Sequence, residues 1–165
     1  MLTREVPTQF TRWKFFAALQ RTLFACMRTD TPCSLALLDI YSMGTVKKRY
    51  GSAVGSEFLT AYEHTLRRLF YGTGMVMWCG SDEFAILLPE IDEGRACALI
   101  VCALRDLTRT VLRARSGQSV NLETNAGGAT GRGLEITPEA LIRAADSALA
   151  SVKRRGSPSL EWARL

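Results

Sequence analysis

Two short apolar runs flanking a tight turn constrain this chain more than any other stretch. Met75 to Trp78 and Phe84 to Leu88 each read as a strand of a buried sheet, and Gly80-Ser81 between them supplies the turn of a hairpin. Asp82 and Glu83 then lie at the hairpin tip, and two carboxylates at a sheet edge suit a cation. Another apolar run, Ser34 to Leu38, ends in Asp39-Ile40. Taken singly, an acid closing a strand is a terminator and an acidic pair at a turn is a solvated tip. Their combined spacing favours a retained or ancestral metal site.

Around these runs helix and strand patterns alternate. Phe10, Trp13, Phe16, Ala17, Leu19 and Phe24 predict an opening helix, stopped by Thr31-Pro32, so that residues 1–30 form a helical lead-in. Val54, Phe58, Leu59, Tyr62, Leu66, Leu69 and Phe70 predict an amphipathic helix before the hairpin. A further helix starts near Asp92, with Ala96, Leu99, Cys102, Leu107 and Val111 on its apolar side. Ser119 to Ala126 reads as a strand and Ser159 to Trp162 as an edge strand. Between them Thr137-Pro138 caps and starts a helix carrying Leu141, Ile142, Ala145, Leu149 and Val152. No repeat or low-complexity linker interrupts the pattern, which predicts one α/β sandwich domain over residues 1–165.

Composition agrees and removes some classes of function. At 165 residues and 47% hydrophobic, the chain has material for one real core. No apolar run approaches the roughly 20 residues of a bilayer-spanning helix, and no signal-like start precedes the first helix. The expectation is a cytoplasmic protein without membrane contact. A net charge of +5 raises the question of nucleic acid. The basic residues, however, fall in small groups (Lys47-Lys48-Arg49, Arg67-Arg68, Arg113 with Arg115, Lys153-Arg154-Arg155) of the kind found on helix faces and at helix C-termini. With no aromatic-basic strand motif, nucleic acid is not the expected partner. Cys26, Cys33, Cys79, Cys97 and Cys102 are odd in number and lack metal-ligand spacing; they read as reduced residues in or near the core, with a redox role for Cys79 the weaker alternative.

The hairpin Gly80-Ser81-Asp82-Glu83-Phe84 resembles the signature of the GGDEF (diguanylate cyclase) family, with Ser81 in the place of its second glycine. Asp39-Ile40 resembles the first two residues of that family's Asp-Ile-Asp strand end, Tyr41 replacing the second acid. Ala144 to Leu149, followed by Val152-Lys153 and Gly156, is similar to its closing helix, and Thr11 to Phe15 to its Asn-Arg-Arg-x-Phe segment. The resemblance runs from about residue 4 to residue 162. It implies the mainly antiparallel central sheet, with helices packed around it, of GGDEF and class III nucleotide cyclase domains. It also implies GTP as substrate, one molecule on each subunit of a homodimer, and Mg2+ as cofactor. By that resemblance Asp39, the Ile40 carbonyl and Asp82 are the metal ligands, Asp82 and Glu83 the catalytic acids, and Gly80, Ser81, Lys47, Ser56 and Lys153 the nucleotide contacts. Asp39 and Asp82 are expected on neighbouring strands, facing one cleft.

Several positions depart from the family pattern. Guanine presents N–H donors on its Watson-Crick edge, for which the family uses an asparagine and an aspartate; Lys47 and Ser56 stand there instead. Lysine has donors only. An unmet pairing in a buried site costs about 1–3 kcal/mol, so two weaken GTP by roughly a hundredfold or more. Lys47 itself reads as a solvated lysine on a helix face rather than a recruited phosphate ligand. Gly44 and Ser157 replace a lysine and an arginine that contact phosphate, Arg4 to Phe10 lack the opening motif, and Tyr71 and Gly74 occupy the Arg-x-x-Asp positions that bind cyclic di-GMP. The expectation is a degenerate GGDEF domain, inactive or very weak as a cyclase, acting as a regulatory or protein-interaction module in cyclic di-GMP signalling, with a regulatory protein partner that the sequence does not name. The alternatives are an active diguanylate cyclase and a nucleotide sensor with altered base specificity.

Overall fold

The computed structural model describes residues 9–133 and 136–165, with side chains from residue 13 onward. The expectations placed on Arg4 to Thr8, and on the side chains of Phe10, Thr11 and Arg12, lie outside the described residues.

The order of elements is α1 (Gln9–Arg28), β1 (Cys33–Ile40), α2 (Met43–Tyr50), α3 (Ser52–Leu69), β2 (Met75–Trp78), β3 (Glu83–Pro89), α4 (Glu93–Arg109), β4 (Leu112–Arg113), β5 (Ser119–Val120), β6 (Thr124–Gly131), α5 (Pro138–Arg155) and β7 (Leu160–Ala163). Five strands form the central sheet in the order β2-β3-β1-β6-β7, all pairs antiparallel except β6 with β7, while β4 and β5 make a separate ribbon. This is the mainly antiparallel α/β sandwich expected from the sequence.

Strand β1 lies in the middle and is covered on both faces, which is why its sequence is a nearly continuous apolar run. Alternate residues serve different cores. Ala36, Leu38 and Ile40 pack with Phe58, Tyr62, Leu66, Phe84 and Ile86 beneath α2, α3 and α4. Cys33 and Leu35 join Phe15, Leu19, Leu87, Leu141 and Ala145 beneath α1 and α5. Thr137 caps α5 as expected, its hydroxyl accepting from the Ala140 N–H, and Asp92 caps α4 by accepting from Arg95 N–H. Gly51, at φ 88°, makes the left-handed break that separates α2 from α3.

Three local expectations are corrected. Helix α1 forms, but it buries Phe15, Ala18, Leu19, Leu23 and Cys26 and leaves Trp13 and Phe24 66% and 61% exposed. It is apolar around much of its circumference, so periodicity fits more than one face. Helix α4 ends at Arg109 and buries Ile100 and Ala103, while Cys102 is exposed and Val111 lies beyond the helix. The strand expected over 119–126 is two strands: β5 stops at Val120, and the sheet strand β6 runs through Thr124-Asn-Ala-Gly-Gly-Ala-Thr-Gly131. Its small residues carry little strand propensity, but packing demands them. A Cβ on Gly127 would come within 2.1 Å of the Leu149 backbone nitrogen, so α5 lies directly on the β6 backbone.

All five cysteines are free, and the Cys33 thiol is pushed up to about 12 by burial, with Cys26 beside it, which leaves it unreactive. No helix among the described residues is long and apolar enough to cross a membrane.

Candidate functional site

The end of β1 and the tip of the β2–β3 hairpin bring the acids together. The register pairs Asp39 with Glu83 on one side and with Asn125 of β6 on the other, so these three side chains share the sheet face covered by α5. Asp82 is one residue off this row. Its backbone oxygen accepts from the Ile40 N–H at 3.1 Å, and its carboxylate accepts from the Ser81 hydroxyl. Glu83, then, is the acid directly across from Asp39.

Lys153 reaches this row from the last turn of α5. Its Nζ lies 2.8 Å from Asp39 Oδ2 and 3.4 Å from Glu83 Oε1. The helix is positioned to deliver it by the close approach at Gly127, one turn earlier. Burial raises the Asp39 carboxyl above the usual range against the pull of Lys153, with Asp82 and Glu83 adding to the rise. For Lys153 burial acts downward, and the two carboxylates outweigh it and raise the ammonium. Tyr41, in the place of the family's second acid, donates from its hydroxyl to the Gly156 carbonyl at 3.3 Å and so ties the end of β1 to the end of α5.

On the opposite face of the hairpin a cavity of about 70 Å³ opens between α2, α3 and the sheet, lined by Lys47, Ser56, Leu59, Glu63, Trp78, Ser81 and Phe84. Lys47, Ser56 and Ser81, grouped on resemblance alone, do meet here. Lys47 is not the solvated lysine expected: it is half-buried, with its stem lying over Gly55, where an added Cβ would fall 2.7 Å from Lys47 Cγ. The spacing Lys47 to Gly55 had no periodic signature because it crosses the break at Gly51. Ser56 donates its hydroxyl to the Ser52 carbonyl at 3.0 Å.

Three residues of the two faces were missed by sequence reasoning. Glu63 is a buried acid in the cavity wall, held through Oε1 by Arg67 Nε and Nη2 at 3.1 and 2.9 Å. The i,i+4 spacing of Glu63 and Arg67 was the available signal. Trp78 lines the cavity with its cross-strand partner Phe84. Asn125 is 3% exposed, and its Oδ1 has no hydrogen-bond partner among the described residues. Nothing in its sequence surroundings singles it out.

At the two positions the resemblance gives to the cyclic di-GMP motif, Tyr71 is 89% exposed and Gly74 packs against β3. A Cβ on Gly74 would meet Leu88 Cδ2 at 2.6 Å and the Leu87 carbonyl at 2.9 Å.

The family model described as "Diguanylate cyclase, GGDEF domain" matches residues 8–159. The chain belongs to the GGDEF family. Its curated relatives include the diguanylate cyclase DosC of Escherichia coli (strain K12), 27% identical over 158 residues, which cover 95% of this chain and 34% of the relative. The chain thus spans about a third of that relative's length. Among solved structures, the GGDEF domain of DgcB from Caulobacter crescentus, in complex with c-di-GMP, superposes with a TM-score of 0.84 at 20% identity, over 92% of this chain and 89% of that one. Diguanylate cyclase SiaD of Pseudomonas aeruginosa, solved with its activator SiaC, gives 0.84 at 20% identity over 92% and 58%. These likenesses establish the GGDEF fold.

Cyclases of this family use Mg2+. In this GGDEF domain the acids that would hold a divalent ion are engaged with other side chains. Asp39 is closed by Lys153, Asp82 accepts from Ser81, and no three His, Cys, Asp or Glu residues converge on a metal position among the described residues.

Proposed function

We propose that this GGDEF domain is inactive or very weak as a diguanylate cyclase and serves as a regulatory, protein-interacting module in cyclic di-GMP signalling. The observation that carries the reading is Lys47, whose stem runs over Gly55 into the cavity where a guanine edge needs acceptors. An ammonium there offers three donors and no acceptor. Ser56, whose hydroxyl donates to the Ser52 carbonyl, offers a neutral oxygen in place of a carboxylate, and Oε1 of the wall residue Glu63 is engaged by Arg67. Gly44 and Ser157 leave the triphosphate under-held. Without a positioned α-phosphate, attack by a ribose hydroxyl from the opposing subunit of a homodimer loses its orientation advantage.

The relatives suggest the kind of partner. SiaD was solved with an activator protein, and a regulatory protein docking on this domain is the corresponding expectation here. The test is incubation of the purified chain with GTP and magnesium, followed by chromatographic detection of cyclic di-GMP. Sustained production would establish the active-cyclase reading in place of ours.

A second reading follows from the same cavity. A cavity lined by Lys47, Trp78 and Phe84 suits a planar ligand that presents carbonyl or phosphate oxygens, as a nucleotide sensor with altered base specificity would require. A thermal-shift panel of GTP, ATP and cyclic di-GMP separates the two, because a ligand that binds the native state raises its melting temperature. A shift with one of these ligands favours the sensor. A flat panel leaves the protein-interaction module.

A further inference from the structure

Across three adjacent strands, Glu83, Asp39 and Asn125 lie in one row beneath the last turn of α5. We propose that this row is a cage for the Lys153 ammonium, which serves as a built-in cation at Asp39 in place of a divalent metal. The chemistry matches donor for acceptor. An ammonium has three protons and no lone pair. Asp39 Oδ2 takes one at 2.8 Å, Glu83 Oε1 holds a longer contact at 3.4 Å, and Asn125 Oδ1 is the one buried acceptor in the row left unfilled among the described residues. A buried amide oxygen without a donor is costly, and Lys153, already paired with the strand neighbour Asp39, is the donor this assignment gives it.

Exclusion of metal follows from the same geometry. A divalent ion at Asp39 would have to displace or repel an ammonium already paired with that carboxylate. Because the close packing at Gly127 holds α5 on β6, the root of Lys153 stays beside the row while the helix is docked. Binding at this end of the cleft is therefore metal-independent. The inference deepens the proposed function and rests on it only for the identity of the cleft: cyclic di-GMP production would sink the inactive reading, whereas cation binding is decided by a separate measurement.

That measurement is Mn2+ uptake by the full chain, read from loss of the free-ion electron paramagnetic resonance signal. Wild type and Arg154→Ala, which removes an equal charge from the next residue outside the row, should leave the signal at its free amplitude. Lys153→Ala should bind Mn2+ at least about tenfold more tightly, and adding Asp39→Asn to it should abolish the gain. Wild type that binds Mn2+ as tightly as Lys153→Ala overturns the proposal. So does a Lys153→Ala chain that gains nothing, or a gain equalled by Arg154→Ala. For the third acceptor, the Lys153 ammonium protons should exchange slowly in nitrogen-resolved NMR and at least about threefold faster in Asn125→Leu. Exchange unaffected by that substitution would remove Asn125 from the cage and overturn the three-acceptor assignment.

Discussion

The two faces of one hairpin differ in what they keep. On the α5 side, Asp39, Glu83 and Lys153, which the resemblance groups, are joined by the contacts of Lys153 with each acid. On the α2–α3 side, the positions that would read a guanine edge are Lys47 and Ser56, and the cavity around them has become a cationic, aromatic-walled space. On the reading proposed above, a cleft can thus keep its charged end while its other end changes character. The physical reason is that the charged end is also structural: Lys153 pairs with two carboxylates at the ends of adjacent strands, whereas nothing in the fold requires an asparagine at 47.

The comparison can be broken most severely on the α5 side. Gly127→Val should cost about 3 kcal/mol or more in urea unfolding, because its Cβ would fall within 2.1 Å of the Leu149 backbone nitrogen and α5 must shift to admit it. A variant as stable as wild type would show that α5 does not hold Lys153 by that contact. Next in size is Gly74→Asp, combined with Tyr71→Arg to rebuild the cyclic di-GMP motif. Overpacking against Leu88 and the Leu87 carbonyl should destabilise the protein by about 1–3 kcal/mol, with no gain in cyclic di-GMP affinity by calorimetry. Tight binding by that pair would mean the edge adapts more readily than its packing indicates.

The base-reading side should respond in binding. Lys47→Asn with Ser56→Asp should strengthen GTP affinity by at least about tenfold, equivalent to roughly 1.4 kcal/mol for one recovered pairing, and Ser81→Gly alone should do less. Unchanged calorimetric affinity in a folded double variant would mean the cavity is no longer a nucleotide site. The smallest effect concerns pH. Lys153 is raised in the folded state, so its contribution is fully present below the ordinary lysine value and disappears as pH rises through the folded one. The stability difference between wild type and Lys153→Met, by denaturant titration, should therefore be flat through neutrality and close only in the alkaline range. Because the pair is partly exposed, the difference should stay within about 1 kcal/mol.

Much of the fold was legible because it depends on local pattern. The hairpin announced itself through two apolar runs about a glycine turn, α3 through its 3.6-residue stripe, and α5 through the Thr137-Pro138 start. The errors share a cause. Helix α1 offers more than one apolar face, so only its neighbours could choose Phe15 and Leu23 over Trp13 and Phe24. Strand β6 was blurred because Gly127 and Gly128 answer to α5 and Trp162 rather than to strand propensity.

The sequence by itself determined the elements, the family and the residue types on offer: acids at a strand end and a hairpin tip, a lysine near the end of a helix, and donors where acceptors are usual. Tertiary structure alone decided which of them meet. Register put Glu83, not Asp82, opposite Asp39, and placed Asn125 on the other side of it with an unfilled oxygen. Packing across the Gly51 break folded Lys47 over Gly55, and the approach of α5 to Gly127 carried Lys153 onto the acids. Sequence pattern encodes periodicity along one element, but contacts between elements depend on register and on how closely two backbones can approach.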